Sequence, residues 1–183
     1  MAMLLTVPSY SIEDLERFPN DGNRYELLDG VLLVTPAPLP AHQIVISRIQ
    51  AALMAYVQAP GRAIVVGPGV VEIAPKTHLE PDILVFPADQ PINRKWTAIR
   101  NWWLAVEVFS ESSVIYDRDF KRNAYLSMGV AEVWLVDWLK EVVYVSRRGE
   151  PIDIPYGETL IWKPAGMEHA LRLELSEVFE GLT

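Results

Sequence analysis

Three runs of the chain, DILVF (82–86), WWLAVEVF (102–109) and EVWLVD (132–137), are apolar at almost every position rather than at every second one. A strand with one wet face alternates, whereas a run this continuous belongs to a strand covered on both sides, as the central strands of a mixed sheet are. The chain is therefore committed to a sheet buried between two layers. Around these runs, Val45, Ile49, Ala52, Leu53 and Tyr56 recur at helical spacing and predict a helix from His42 to Val57, ended by Pro60-Gly61. Asp29-Gly30 splits RYELLDGVLLVTP into a β-hairpin. Pro36, Pro38 and Pro40 then stiffen a non-helical exit. Ser11 opens a short helix, SIEDLERF, with Asp14 completing a capping box. AIVV and VVEIA flank Gly67-Pro68-Gly69 as further strands. Residues 117–128 read as a helix with Phe120, Ala124 and Met128 on its apolar stripe and Gly129 as its stop. EVVYVS (141–146) should pair with EVWLVD, and the tail 151–183 should add edge strands and a last short helix, SEVFEGL. The expected class is α/β or α+β, one domain over 1–183 with a helix and hairpin ahead of the mixed sheet.

Two acids stand where such strands should be apolar. Asp82 follows Pro81 at the start of DILVF, and Glu107 interrupts WWLAVEVF. A lone buried carboxylate costs several kcal/mol, so each needs a cation, a donor or water. One such acid alone is most simply paired with an arginine. Two on neighbouring strands, with the carbonyl of Val108 beside them, would form a half-shell for a hard cation such as Mg²⁺ or Mn²⁺. A lysine would complete a phosphoryl-transfer site by balancing the developing charge. In the nuclease pattern Pro-Asp…(Asp/Glu)-x-Lys it sits two residues after the acid, but Phe109 stands there. The next candidate is Lys121 on the following helix, with Tyr125 one turn further on. Gly67-Pro68-Gly69 is no dinucleotide loop, since it lacks the third glycine and no helix opens after it. His42, His78 and His169 are scattered and suggest no shared metal site.

Composition removes other classes. With 16 Lys+Arg against 24 Asp+Glu the formal charge is −8, so a generic nucleic-acid coat is excluded. Any affinity for DNA would have to come from bases gathered locally, and Arg94, Lys95, Arg100, Arg118, Lys121 and Arg122 are the candidates. The absence of cysteine excludes a disulfide framework, a thiolate metal site and a Cys nucleophile. MAMLLTVPSY lacks the basic start of a signal peptide, and no apolar run is long enough to span a bilayer. A cytoplasmic protein without membrane attachment is expected.

RYELLDGVLLVTPAPLPAHQ (24–43), LEPDILVF (79–86), LAVEVFSESS (104–113) and DRDFKRNAYLSMGVAEVWLVD (117–137) together resemble the Uma-type family of bacterial proteins classed with restriction endonucleases. That family is a divergent branch of the PD-(D/E)XK nucleases, and the resemblance covers about residues 10 to 150. It implies a restriction-endonuclease-like mixed sheet flanked by helices. It marks Asp82 and Glu107 as metal-binding acids and Lys121 as a lysine migrated to the helix. Glu26 matches the family's additional acid, and His42, in the first turn of its helix, a recurrent histidine suited to capping or phosphate contact. Arg118 and Tyr125 are accessory candidates. The implied activity is Mg²⁺- or Mn²⁺-dependent hydrolysis of DNA by a homodimer or higher oligomer, with Trp138 and Trp162 as surface for the interface. The competing expectations are a catalytically silent interaction module of the same fold and a hydrolase of a smaller phosphoester.

Overall fold

The structure, a computed structural model, describes residues 8–92, 95–110, 114 and 116–182. A single helical turn, α1 (Ile12–Leu15), leads into the hairpin strands β1 (Arg24–Leu28) and β2 (Val31–Thr35) and helix α2 (Pro40–Leu53). Strands β3 (Ala63–Val66), β4 (Val71–Ile73), β5 (Thr77–Leu79), β6 (Ile83–Pro87) and β7 (Leu104–Val108) follow. Helix α3 (Arg122–Met128) precedes β8 (Glu132–Asp137), β9 (Val142–Arg147) and β10 (Ile154–Tyr156). Strands β11 (Thr159–Trp162) and β12 (Leu171–Glu174) and the short helix α4 (Leu175–Phe179) close the chain.

The apolar runs become β6, β7 and β8, and every residue of all three is buried. They lie at the centre of a six-stranded sheet ordered β10-β9-β8-β7-β6-β3. The pair β7–β8 is parallel and the others are antiparallel, so the sheet is mixed. One face, with Val85, Leu104, Val106 and Trp134, packs against Val45, Ile49 and Leu53 of α2 and against Trp162 and Val178 from the tail. Full burial of one such aliphatic side chain stabilises by about 1.5–3 kcal/mol. The opposite face, with Leu84, Phe86, Ala105 and Leu135, meets Tyr125 of α3 and Leu33, Val71 and Leu79. Those last three belong to a second sheet, ordered β2-β1-β5-β4. The expected helical flank is thus half replaced by a sheet on this side.

The Asp29-Gly30 hairpin forms as expected, with Leu28 opposite Val31 and positive φ at both turn residues (50° and 82°). The Ser11 amide donates to Asp14 Oδ2 at 2.8 Å, so the capping interaction forms as well. Three expectations are corrected. Pro40 is not outside the helix but is the first residue of α2, where its missing N–H costs nothing because that amide has no helical partner anyway. Phe120 is half exposed, and the buried stripe of the 116–128 helix is Asp117, Lys121 and Tyr125. Its first turns, Tyr116–Lys121, are wound wide, in a π-helix. Trp162 is buried, 2% exposed and packed edge-on against Trp134, and Trp138 is half-buried with its indole N–H on the Phe109 carbonyl. Burial of the large indoles completes the core, so neither ring forms the open surface expected of them.

Candidate active site

The β6–β7 register pairs Ile83 with Val106. Continued by one residue, it sets Asp82 opposite Glu107, and directly opposed residues project from one face of a sheet. That face is the one covered by α3 and β1. Alternation along β6 and β7 places Asp82 with Leu84 and Glu107 with Ala105. The two acids therefore open onto one cleft of about 290 Å³, lined also by Arg24, His42, Glu80, Val108, Ser110, Asp117 and Lys121.

Asp82 is held from three directions. Its Oδ2 accepts the Val108 amide at 2.9 Å and lies 3.3 Å from His42 Nε2, and its Oδ1 accepts Arg24 Nη1 at 3.0 Å. Burial alone would raise this carboxyl, but the His42 bond, the Arg24 charge and the Val108 amide outweigh it and hold it below the usual range. His42 Nε2 also lies 2.9 Å from the Val108 carbonyl. His42 Nδ1 is buried with no hydrogen-bond partner among the described residues.

Glu107 is in the opposite state. Its Oε1 accepts the Tyr125 hydroxyl at 2.6 Å and lies 3.5 Å from Lys121 Nζ. Burial, followed by the charges of Asp117, Asp82 and Glu26, pushes this carboxyl well above the usual range against the pull of Lys121. Burial and the charges of Glu107, Glu26 and Asp117 push the Tyr125 phenol well above its usual range. The Lys121 ammonium is caged, 2.6 Å from Glu26 Oε2 and 3.4 Å from Asp117 Oδ1 besides Glu107. Burial would lower its pKa, yet the three carboxylates outweigh this and raise it, favouring the charged ammonium. Glu26 is fixed in turn by the Glu80 amide, 2.7 Å from its Oε1.

The structure thus brings together Asp82, Glu107, Lys121, Glu26, Val108, His42 and Tyr125. It does not bring Arg118. That guanidinium pairs with Asp153 at 3.0 Å and lies over the Tyr144 ring, and Arg122 pairs with the same Asp153 at 2.6 Å. Lys95 instead borders an apolar recess around Phe86, at the end of β6 away from Asp82. Arg94 lies outside the described residues. Of the expected bases, Lys121 therefore stands in the cleft, whereas Asp153 draws Arg118 and Arg122 to itself. His78 sits between Glu72 and Glu80 at 3.2 and 3.1 Å, and the His169 carbonyl accepts the Tyr56 hydroxyl, so the three histidines are indeed separate.

Of the cleft residues that escaped the sequence reading, two left a signal. Asp117 stands four before Lys121, a helical neighbour. Arg24 stands two before Glu26, on the same face of its strand.

The fold and the acid-lined cleft define a chain of nuclease-like architecture. It superposes with a TM-score of 0.75 on a crystal structure described as "a putative nuclease belonging to DUF820 from Anabaena variabilis", at 16% identity over 93% of this chain and 97% of that one. The Uma2 family model, described as "Putative restriction endonuclease", matches residues 12–181; the chain belongs to that family. No curated protein matches it. Among the described residues no helix is long and apolar enough to cross a membrane.

Proposed function

We propose that the chain hydrolyses phosphodiester bonds of DNA with Mg²⁺ or Mn²⁺, held by Asp82, Glu107 and the carbonyl of Val108. The observation that carries this reading is the opening of Asp82 and Glu107 onto one cleft that Lys121 enters from the next helix, 3.5 Å from Glu107. The donor set fits a hard cation in type and charge. All the donors are oxygens, and the acids Glu80, Asp82, Glu107 and Asp117 outnumber the cations Arg24 and Lys121 along the cleft. Among the described residues no three His, Cys, Asp or Glu side chains enclose a site. An ion of the Mg²⁺ kind takes one or two carboxylates from the protein and completes its shell with water and phosphate oxygens. Such an ion supplies Lewis acidity and a more acidic water.

The chain's own groups do the rest. Tyr125 fixes the rotamer of Glu107 by its 2.6 Å bond, and the Val108 amide and His42 orient Asp82. Lys121 offers positive charge to the phosphoryl oxygens, held in reach by Glu26 and Asp117. Without a divalent ion the cleft repels a polyanion, so DNA binding should itself depend on metal. The silent-module reading has one observation in its favour, the guanidinium of Arg24 already bonded to Asp82 Oδ1.

Crystals soaked in Mn²⁺ separate the two. Anomalous density within about 2.1 Å of both acids supports the metal site. A flat map between Asp82 and Glu107 at saturating Mn²⁺ removes it.

A further inference from the structure

Arg24 opens β1 and is three-quarters buried against the cleft wall, its side chain 24% exposed. Its Nη1 serves two acceptors at once, Asp82 Oδ1 at 3.0 Å and the Glu80 carbonyl at 2.9 Å, and its Nε lies 3.8 Å from Glu80 Oε2. A durable arginine–carboxylate pair is a two-pronged fork. Here a single nitrogen, already shared with a carbonyl, meets a single oxygen, the one Asp82 oxygen not engaged by Val108 or His42. That oxygen is therefore the one open to exchange. Glu80 would keep the guanidinium at the cleft wall after such an exchange, since its carbonyl and carboxylate hold it independently of Asp82.

We propose, resting on the metal-dependent reading above, that Arg24 is an exchangeable counter-cation: it occupies Asp82 Oδ1 until a divalent ion takes that oxygen, and its freed guanidinium then binds a DNA phosphate. Without a divalent ion Arg24 offsets a carboxylate that would otherwise be buried alone. In the loaded cleft two cations cannot share one oxygen without strong repulsion, while the planar fork is well matched to a phosphate. Arg24 thus opposes metal and favours substrate.

The test measures both in one variant. Arg24→Met keeps most of the apolar stem and removes the charge. Calorimetric titration with Mn²⁺ alone should show binding about tenfold tighter than wild type. Retention of a short DNA duplex, measured with Ca²⁺ in place of the active ion, should weaken by about tenfold. Opposite signs are the signature, because general damage to the cleft weakens both. Mn²⁺ binding that is unchanged or weaker in Arg24→Met, while wild type binds Mn²⁺ through Asp82, overturns the role of Arg24 and leaves the metal reading standing. Unchanged DNA retention likewise overturns it. No Mn²⁺ heat from either protein, or heat that persists in Asp82→Asn, overturns the metal reading itself. Should Arg24→Met not fold, Arg24→Lys serves: a lysine keeps the charge without the fork, so Mn²⁺ affinity should stay near wild type while DNA retention falls, and unchanged DNA retention refutes the proposal.

Discussion

Lys121 is the side chain whose removal should reveal most about the cleft. It is 2% exposed and compensates Glu26, Glu107 and Asp117 at 2.6, 3.5 and 3.4 Å. Lys121→Ala leaves those carboxylates around a hole with no ammonium among them. Breaking a buried ion pair by removing one partner costs about 3–5 kcal/mol. In a chain of this size that lowers the melting temperature by roughly 6–20 °C. The loss is electrostatic, so Lys121→Ala combined with Glu26→Gln should recover part of it, with a coupling of about 1–3 kcal/mol in a double-mutant cycle. Urea unfolding followed by far-UV circular dichroism, in chelator and below the melting temperature of every variant, reads both quantities. A cost under about 1 kcal/mol, with no coupling to Glu26, would place Lys121 in solvent and refute this geometry. The same burial means that loss of cleavage in Lys121→Ala counts as catalytic only under conditions where that variant is shown to be folded.

Other expectations follow from single contacts. Tyr125→Phe leaves the Glu107 carboxyl without its buried donor and should cost about 1–3 kcal/mol in thermal or urea unfolding. A side chain at Gly67 would place its Cβ 2.7 Å from the Asp82 carbonyl and 3.0 Å from Gln50 Oε1; Gly67→Ala should shift Asp82 and weaken Mn²⁺ binding in calorimetry, and an unchanged affinity would contradict that approach. Burial lowers the affinity of His78 for a proton, but its bonds to Glu80 and Glu72 outweigh this and hold its pKa above 6.5. Because the folded value is the higher one, the stability His78 contributes is complete below about pH 6.5 and is lost as pH rises through the folded value. His78→Gln should flatten that part of the stability profile above about pH 6.5.

What the sequence made legible was whatever rests on a local pattern. Continuous apolarity located β6, β7 and β8, and EVWLVD matches β8 residue for residue. The same continuity exposed Asp82 and Glu107, since an acid in such a run is an exception that asks for a partner. With Phe109 in the usual position of the lysine, the next lysine, on the following helix, is Lys121, and the resemblance adds Glu26 and His42. What escaped depends on contacts between distant segments. Strand β5 is three residues long and exists through its neighbours β1 and β4, too short for any periodicity to show. The 116–128 helix turns its charged stripe inward because acids from β1 and β7 wait there, which inverts the ordinary rule that the apolar stripe faces the core. Arg118 and Arg122 were drawn away by Asp153, which no spacing along the chain foretells.

The central claim is tested most directly on plasmid DNA. Purified protein at low salt should nick or linearise supercoiled plasmid with Mg²⁺ or Mn²⁺ and stop on chelation. Ca²⁺ should support little turnover. Asp82→Asn, matched for folding and concentration, should leave the plasmid intact even at high metal. Equal cutting by wild type and Asp82→Asn, or an intact plasmid with wild type in both metals, would contradict the account.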